Sequence, residues 1–191
     1  MVLVVNSNLT IGQDADYGAG RGLWGGTRIM ENNIWIVGLS FVFAFVLSIV
    51  ALPQFLPVDM GYLRPEWVAL VLFYWTIALP HRVGIVIAWI LGLVIDVLSG
   101  SLLGQHGIAL MAVAYIGASL YQRLRMFTVW QQSLIVFAVI GLYQLINYWI
   151  ESIVGSAEWN MWYLMPSMVS AFIWPWVFLV LRYFRRLFGV N

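Results

Sequence analysis

The stretch from Ile34 to Leu52, IWIVGLSFVFAFVLSIVAL, contains no charged residue and decides the fold class. At about 1.5 Å of rise per residue, a helix of this length approaches the roughly 30 Å thickness of a bilayer's hydrocarbon core. The stretch therefore predicts a membrane-spanning helix. Pro53 and Pro57 follow it and are expected to end the helix, because proline lacks the backbone donor that a helix interior uses.

The composition of the whole chain agrees with lipid as its main solvent. Of 191 residues, 63% are hydrophobic and only 9% are charged, whereas a soluble domain carries roughly a quarter charged residues. All nine basic residues are arginine and the net charge is +1, which gives no indication of nucleic-acid binding. The chain has no cysteine, so disulfide bonds, thiolate metal ligands and a thiol nucleophile are excluded.

Five further apolar runs predict an all-α, polytopic membrane protein with about six transmembrane helices. They cover residues 67–79, 83–98, 108–121, 129–150 and 162–181. Pro65 is placed for the first turn of the second helix, and Glu66 for the positive end of its dipole. The second and third runs are shorter than the roughly 20 residues of a standard span. A re-entrant hairpin over residues 67–98 is therefore an alternative to two spans.

Residues 1–30 differ from the rest and predict a disordered cytoplasmic tail ahead of a single membrane domain at residues 31–191. The tail is rich in Gly, Asn and Asp, and its apolar stretch, Val2–Val5, is too short for the core of a signal peptide. Met30 directly precedes the transition to the membrane domain. It is therefore also a candidate start, in which case residues 1–29 are dispensable.

The distribution of arginine predicts the orientation, because cytoplasmic loops retain positive charge. With the N-terminus inside, six spans leave eight arginines on the cytoplasmic side and only Arg64 outside. The same threading puts Asp59, Glu151 and Glu158 in outer loops. We therefore expect both termini in the cytoplasm, and we interpret the membrane as a bacterial inner membrane. Tryptophans near the predicted helix ends suit interfacial belts: Trp35, Trp67, Trp130, Trp149, Trp162 and Trp176.

Few residues are available for catalysis. His81 and His106 are predicted on opposite faces of the membrane, so they cannot share a metal ion, and we expect neither a metal site nor a cofactor. Ser99 and Ser101 have no histidine base on their own side except His106, and nothing resembles a nucleophile elbow. We therefore expect no enzymatic activity.

Asp96 is the ionisable residue that stands out, because it lies one turn from the end of an apolar run, where such residues tend to face protein or a polar cavity. Gly92 and Gly100 lie four positions before and after it, and small residues at this spacing let helices approach closely. The functional interpretation is a helix-packing or partner-docking site. The alternative is an aspartate wetted by lipid headgroups. The candidate partners of its carboxylate are Arg64, Ser99, Ser101 and backbone amides.

Other positions are candidates for assembly. Arg64-Pro65-Glu66-Trp67 is interpreted as a helix-start signal at the outer face or as a contact with a periplasmic partner. Pro175, between Trp174 and Trp176, removes a backbone donor inside the last span and predicts a kink. The candidate residues for partner binding or assembly are Arg64, Pro65, Trp67, Arg82, Gly92, Asp96, Gly100, Gly104, Trp174 and Pro175.

Four segments, taken in order, resemble one family. They are RPEWVALVLFYWTIALPHRVG, GLVIDVLSGSLLGQHGIAL, WQQ at residues 130–132 and WPWVFLVLR near the end. Together they resemble MreD, the rod shape-determining membrane protein family of Gram-negative bacteria, in its gammaproteobacterial form. The resemblance covers roughly Ile34 to the C-terminus.

The resemblance implies a non-enzymatic scaffold of the cell-elongation machinery. Such a scaffold binds MreC, supports lateral peptidoglycan synthesis and rod shape, and is linked indirectly to MreB, RodA and the elongation transpeptidase. The resemblance also implies a helical fold similar to the substrate-binding subunits of energy-coupling-factor vitamin transporters.

A small-molecule binding subunit of a membrane transporter is the alternative function. It would need a polar, aromatic-lined pocket open to the outer face. A scaffold would instead show a lipid-filled groove or a flat face against another helix. Membrane lipid is an expected contact of the scaffold, and nucleic acid is not an expected partner.

Overall fold

The computed structural model describes residues 25–50, 64–155 and 161–188. Within these ranges the chain is all-helical, as predicted, and its helices follow the order of the apolar runs. They are α1 (Gly25–Val50), α2 (Trp67–Ala78), α3 (Ile85–Ser99), α4 (Gln105–Leu124), α5 (Val129–Val154) and α6 (Met165–Leu187), with a 3-10 turn at Met161–Leu164 before α6.

The helices begin and end at residues that hydropathy alone does not mark. α1 begins at Gly25 rather than Ile34, so residues 25–30 of the predicted tail are helical, while residues 1–24 lie outside the described residues. α5 extends to Val154 and includes Glu151, so the prediction of Glu151 in a loop is wrong. α6 continues to Leu187 because arginines in a last turn interact favourably with the negative end of the helix dipole.

α2 is the central helix of the bundle. Every residue from Val68 to Ala78 is buried, and α2 contacts α1, α4 and α6. A helix that is apolar on all faces is expected to be enclosed in this way. Its 12 residues give a length of about 18 Å, less than a hydrocarbon core. Whether residues 67–98 form two spans or a re-entrant hairpin therefore stays a prediction.

The other helices pack mainly on their neighbours in sequence, α3 on α4, α4 on α5 and α5 on α6. The turn from α3 to α4 depends on Gly100 and Gly104, whose φ angles of 64° and 96° are unfavourable for residues with a Cβ. We call the end of the bundle that contains residues 100–104 the hairpin end. The opposite end, which contains Arg125, Arg182 and Arg185, is the arginine end.

The outward surface of the bundle is apolar. α5 and α6 are long and apolar enough to cross a bilayer, and Trp35–Ile49, α2 and α3 are shorter apolar helices. Large apolar side chains point away from the core, including Trp35 at 82% exposed and Phe172 at 77%. An exposed apolar surface of this kind marks contact with a membrane or with another protein.

Candidate functional site

The face of α3 that packs on α4 is built from small residues. Ala88, Gly92 and Asp96 are the buried residues of α3, and their spacing of four places them on one face of the helix. Gly92 lies directly against Gly107 of α4, because a Cβ added at Gly92 would overlap the Gly107 backbone and stand 2.7 Å from the carbonyl carbon of His106. The two helix backbones are therefore in direct contact at these two glycines.

Asp96 is fully buried and accepts four hydrogen bonds at the hairpin end. Its Oδ1 accepts from the Ser101 hydroxyl at 3.0 Å, from the His106 backbone N–H at 3.0 Å and from the His106 ring Nδ1 at 2.7 Å. Its Oδ2 accepts from the Gly104 N–H at 2.7 Å. Amides at the start of a helix have no partner within that helix, so the carboxylate caps α4 and also complements its dipole.

The structure selects among the candidate partners of Asp96. Ser101 and two backbone amides bind it, whereas Arg64 donates from Nη2 to the Ser48 hydroxyl of α1 at 3.0 Å. Ser99 is exposed and does not bind the carboxylate. Complete burial of Asp96 also contradicts the alternative in which lipid headgroups wet it. His106 is the partner that the sequence analysis missed, although it follows Asp96 across a glycine-containing turn.

Asp96, Ser101 and His106 are the residue types of a hydrolase triad, but their geometry is different. In a triad the carboxylate binds one ring nitrogen and the nucleophile binds the other. Here the Ser101 hydroxyl lies 3.3 Å from Nδ1, the same nitrogen that donates to Asp96. That nitrogen carries a proton, because a carboxylate only accepts, so it cannot take one from Ser101. The three residues hold the turn together.

The polar contacts of the hairpin end continue into α5. Gln105 donates from Nε2 to the Glu151 carboxylate at 2.8 Å, and the rings of His106 and Tyr143 are 6.1 Å apart. Asn147 is buried one turn from Tyr143, and its side-chain oxygen has no hydrogen-bond partner among the described residues. The hairpin end is therefore a polar layer that joins α3, α4 and α5.

The start of α2 differs from its prediction. Trp67 is the first helical residue, so Pro65 precedes the helix instead of occupying its first turn. Glu66 makes no side-chain capping bond, and its backbone N–H donates to the Ser170 hydroxyl of α6 at 3.1 Å. Burial raises the pKa of Glu66 to about 7, and the positive charge of Arg64 opposes this shift. Glu66 is nevertheless the N-cap residue, at the positive end of the helix as expected, and its interaction with the dipole stays a prediction.

Trp174 and Gln132 connect α6 to the start of α5. Trp174 is fully buried; its Nε1 donates to the Gln132 side-chain oxygen at 3.3 Å, and its ring packs on Phe73 of α2 with centroids 5.6 Å apart. Gln132 donates from Nε2 to the carbonyl of Leu124 at 2.8 Å. We had singled out Gln132 only as part of WQQ. α6 continues past Pro175 without a break, and the kink there stays a prediction.

The candidate assembly residues do not form one site. Gly92, Asp96 and Gly104 meet in the hairpin, while Arg82 is exposed in the turn after α2. Gly100 has open space around it and a positive φ, so it serves the turn, and the close packing expected there is wrong. The sequence analysis missed Gly117 of α4, where an added Cβ would overlap the Thr76 hydroxyl of α2.

These features define a helical, membrane-associated protein whose buried polar side chains hold helices together. The chain belongs to the MreD family, because the family model of rod shape-determining protein MreD matches residues 30–184. It is similar to "Rod shape-determining protein MreD" of Haemophilus influenzae, with 37% identity over 153 residues that cover 80% of this chain and 92% of the relative. No solved structure matches the chain. Membership of the family gives the protein a role in cell shape.

Proposed function

We propose that this protein is a non-enzymatic membrane scaffold of the bacterial cell-elongation machinery, which binds MreC and thereby supports lateral peptidoglycan synthesis. Family membership over residues 30–184 carries the proposal. MreB, RodA and the elongation transpeptidase are linked to the scaffold indirectly. The polar groups of the hairpin support a structural role, because Asp96 and its donors are satisfied by one another.

In this proposal the chain crosses the inner membrane six times, with both termini in the cytoplasm. The arrangement of the helices supports it. Arg82 follows the C-terminal end of α2 in sequence, Arg125 donates to the carbonyl of Ala78 at that end, and Arg182 lines the same end. Arg64 lies at the start of α2, towards the hairpin end. By the positive-inside rule the arginine end is cytoplasmic, and the hairpin end is periplasmic.

The contact surface for MreC is an apolar helix face. The buried Asp96 carboxylate is hydrogen-bonded within the bundle, and the side chains that the helices present outward are large and apolar, as at Trp35 of α1 and Trp176 of α6. Helices associate in lipid through close packing of such faces. A transporter subunit would instead use a polar, aromatic-lined pocket that opens at the hairpin end. We favour the scaffold because the family model of rod shape-determining protein MreD matches residues 30–184.

Site-specific photocrosslinking in the native membrane tests this function. A crosslinking amino acid is placed at Trp35, Phe172 or Trp176, which are exposed, and at Leu110, which is fully buried, as the matched control. We expect MreC to be captured from at least one of the exposed positions and not from Leu110. Failure of every exposed position to capture any elongation protein, in cells whose rod shape the variants restore, would contradict the proposal.

A further inference from the structure

A cavity of about 480 Å³ opens at the arginine end. Its floor includes Tyr74, Ile77 and Gln132, all of which are buried. Arg125, Arg182 and Arg185 also line it. The arginines come from two separate elements, because Arg125 follows α4 and the other two lie on the last turns of α6. The fold thus brings three cations together over the C-terminal end of α2.

These three guanidinium groups have no acidic partner among the described residues. Arg125 donates to the carbonyl of Ala78 at 3.0 Å and lies 5.7 Å from the centre of the Tyr121 ring. Arg182 lies 5.9 Å from the centre of the Phe178 ring. Such contacts orient a guanidinium but do not neutralise it. Like charges that share one cavity repel one another, and an anion bound between them would remove that repulsion.

We propose that this cavity binds the phosphate of an anionic phospholipid. Arginine presents donors in a planar fork that matches phosphate oxygens bidentately. Beside the cavity, α6 presents Leu179 at 57% exposed and Val180 at 51%, so an apolar surface for acyl chains adjoins the charged site. Basic pockets between transmembrane helices on the cytoplasmic side suit anionic headgroups. The assignment to the cytoplasmic leaflet rests on the orientation proposed above, and the site itself does not.

The test measures lipid binding to the full-length protein in detergent by native mass spectrometry, with phosphatidylglycerol as the probe and phosphatidylcholine as its neutral counterpart. The test variant is Arg182→Gln/Arg185→Gln. The matched control is Arg123→Gln/Arg186→Gln, which removes the same charge from exposed arginines at the same end that do not line the cavity. Thermal unfolding without added lipid checks that both variants are folded.

We expect the wild type to prefer phosphatidylglycerol, and the test variant to bind it on the order of thirtyfold more weakly, given the usual contribution of each basic residue near a membrane surface. The control should stay close to the wild type. The variant Arg182→Lys/Arg185→Lys should bind with an affinity between those of the wild type and the test variant, because lysine keeps the charge and loses the planar fork of donors.

Competition with inorganic phosphate distinguishes a phosphate group carried by a phospholipid from one carried by a soluble ligand. Displacement of the lipid by phosphate at comparable concentration, lost in the test variant, supports the phosphate site and assigns it to a soluble ligand. Equal weakening in the test and control variants would overturn the proposal, because it would show only diffuse charge attraction. Absence of any preference for phosphatidylglycerol would also overturn the proposal. It would do so even if these arginines were found to bind an acidic protein segment instead. Neither result bears on MreC capture, so the scaffold proposal fails or stands separately.

Discussion

Asp96 shows how a carboxylate is retained in an apolar helix. An unpaired charge at mid-membrane costs roughly 2.5 to 3.5 kcal/mol on insertion scales. Asp96 avoids isolation through four donors, each within 3.0 Å. Three of these bind Oδ1 and one binds Oδ2. The loss of stability on substitution of Asp96 should therefore depend on which of the two oxygens the new side chain keeps.

We expect Asp96→Asn to be less destabilising than Asp96→Leu. An amide whose oxygen replaces Oδ1 keeps three acceptor contacts and loses the one from Gly104, whereas leucine leaves every donor unpaired at about 1 to 3 kcal/mol for each buried group. Thermal unfolding of the purified protein and its abundance in the membrane measure the difference. Ser99→Ala is the matched control in the same hairpin. A leucine variant as stable as the wild type would contradict this account of the turn.

Glu66 makes stability depend on pH. Its pKa is raised from 4.5 to about 7 by burial, so the folded state binds a proton more tightly than the unfolded state. The stabilisation from this proton is fully present below about pH 4.5, declines as the pH rises to about 7, and is absent above that value. Glu66→Gln should remove this dependence. Melting temperatures of both proteins between pH 5 and pH 8 test it.

Because a pH change can alter the melting temperature in other ways, the informative quantity is the difference in melting temperature between wild type and Glu66→Gln at each pH. The variant should gain stability relative to the wild type as the pH rises from 5 to 8. A difference that stays constant over this range would show that Glu66 is ionised throughout.

At the scale of elements, the α3 and α4 pair depends on the absence of a side chain at Gly92. We expect Gly92→Ala to lower stability by about 1 to 3 kcal/mol, the usual cost of overpacking, because the added methyl meets the Gly107 backbone, which has no flexible end to move aside. Gly141→Ala on α5 is the matched control, since nothing lies within 4 Å of its added Cβ. Equal stability of the two variants, measured by thermal unfolding, would contradict this packing.

The junction of α5 and α6 is open to a double-mutant cycle. Gln132→Leu leaves the Trp174 N–H and the Leu124 carbonyl without this partner, and Trp174→Phe removes the same N–H. The two changes should therefore be coupled by roughly 0.5 to 3 kcal/mol. Gln122→Leu, at an exposed position of α4, combined with Trp174→Phe should be additive. Additivity in both cycles would show that the hydrogen bond from Trp174 to Gln132 does not stabilise this junction.

Hydropathy predicted the helices well and their contacts poorly. Val129 is the first residue of its helix as expected, because the polar Thr128 precedes a strong apolar run. Glu151 was placed in a loop because a charge normally ends a span, and no local pattern shows that Gln105 binds it. Gly107 and Gly117 were missed for the same reason. Their importance comes from the helix opposite each of them, which depends on the tertiary arrangement.

At the scale of the whole molecule, orientation is the prediction with the widest consequences. Because the chain contains no cysteine, single cysteines at positions 158 and 123 can be labelled without background. A membrane-impermeant maleimide applied to spheroplasts should label position 158 and not position 123, which should react only after permeabilisation. The reverse pattern would overturn the proposed topology. A cysteine at position 82 that is labelled from outside would instead favour the re-entrant hairpin.

The enclosed position of α2 has a consequence for biogenesis. Helices emerge from the ribosome in order, but α2 is covered by α1, which is made earlier, and by α4 and α6, which are made later. Until α6 has been synthesised, part of α2 lacks its final neighbours, and incompletely packed intermediates are prone to misassembly. We therefore expect the packing of α2 to be completed only when the last helix has been made. A chain truncated after α5 should accordingly be degraded by membrane proteases, and its abundance in the membrane should fall below that of the full-length protein.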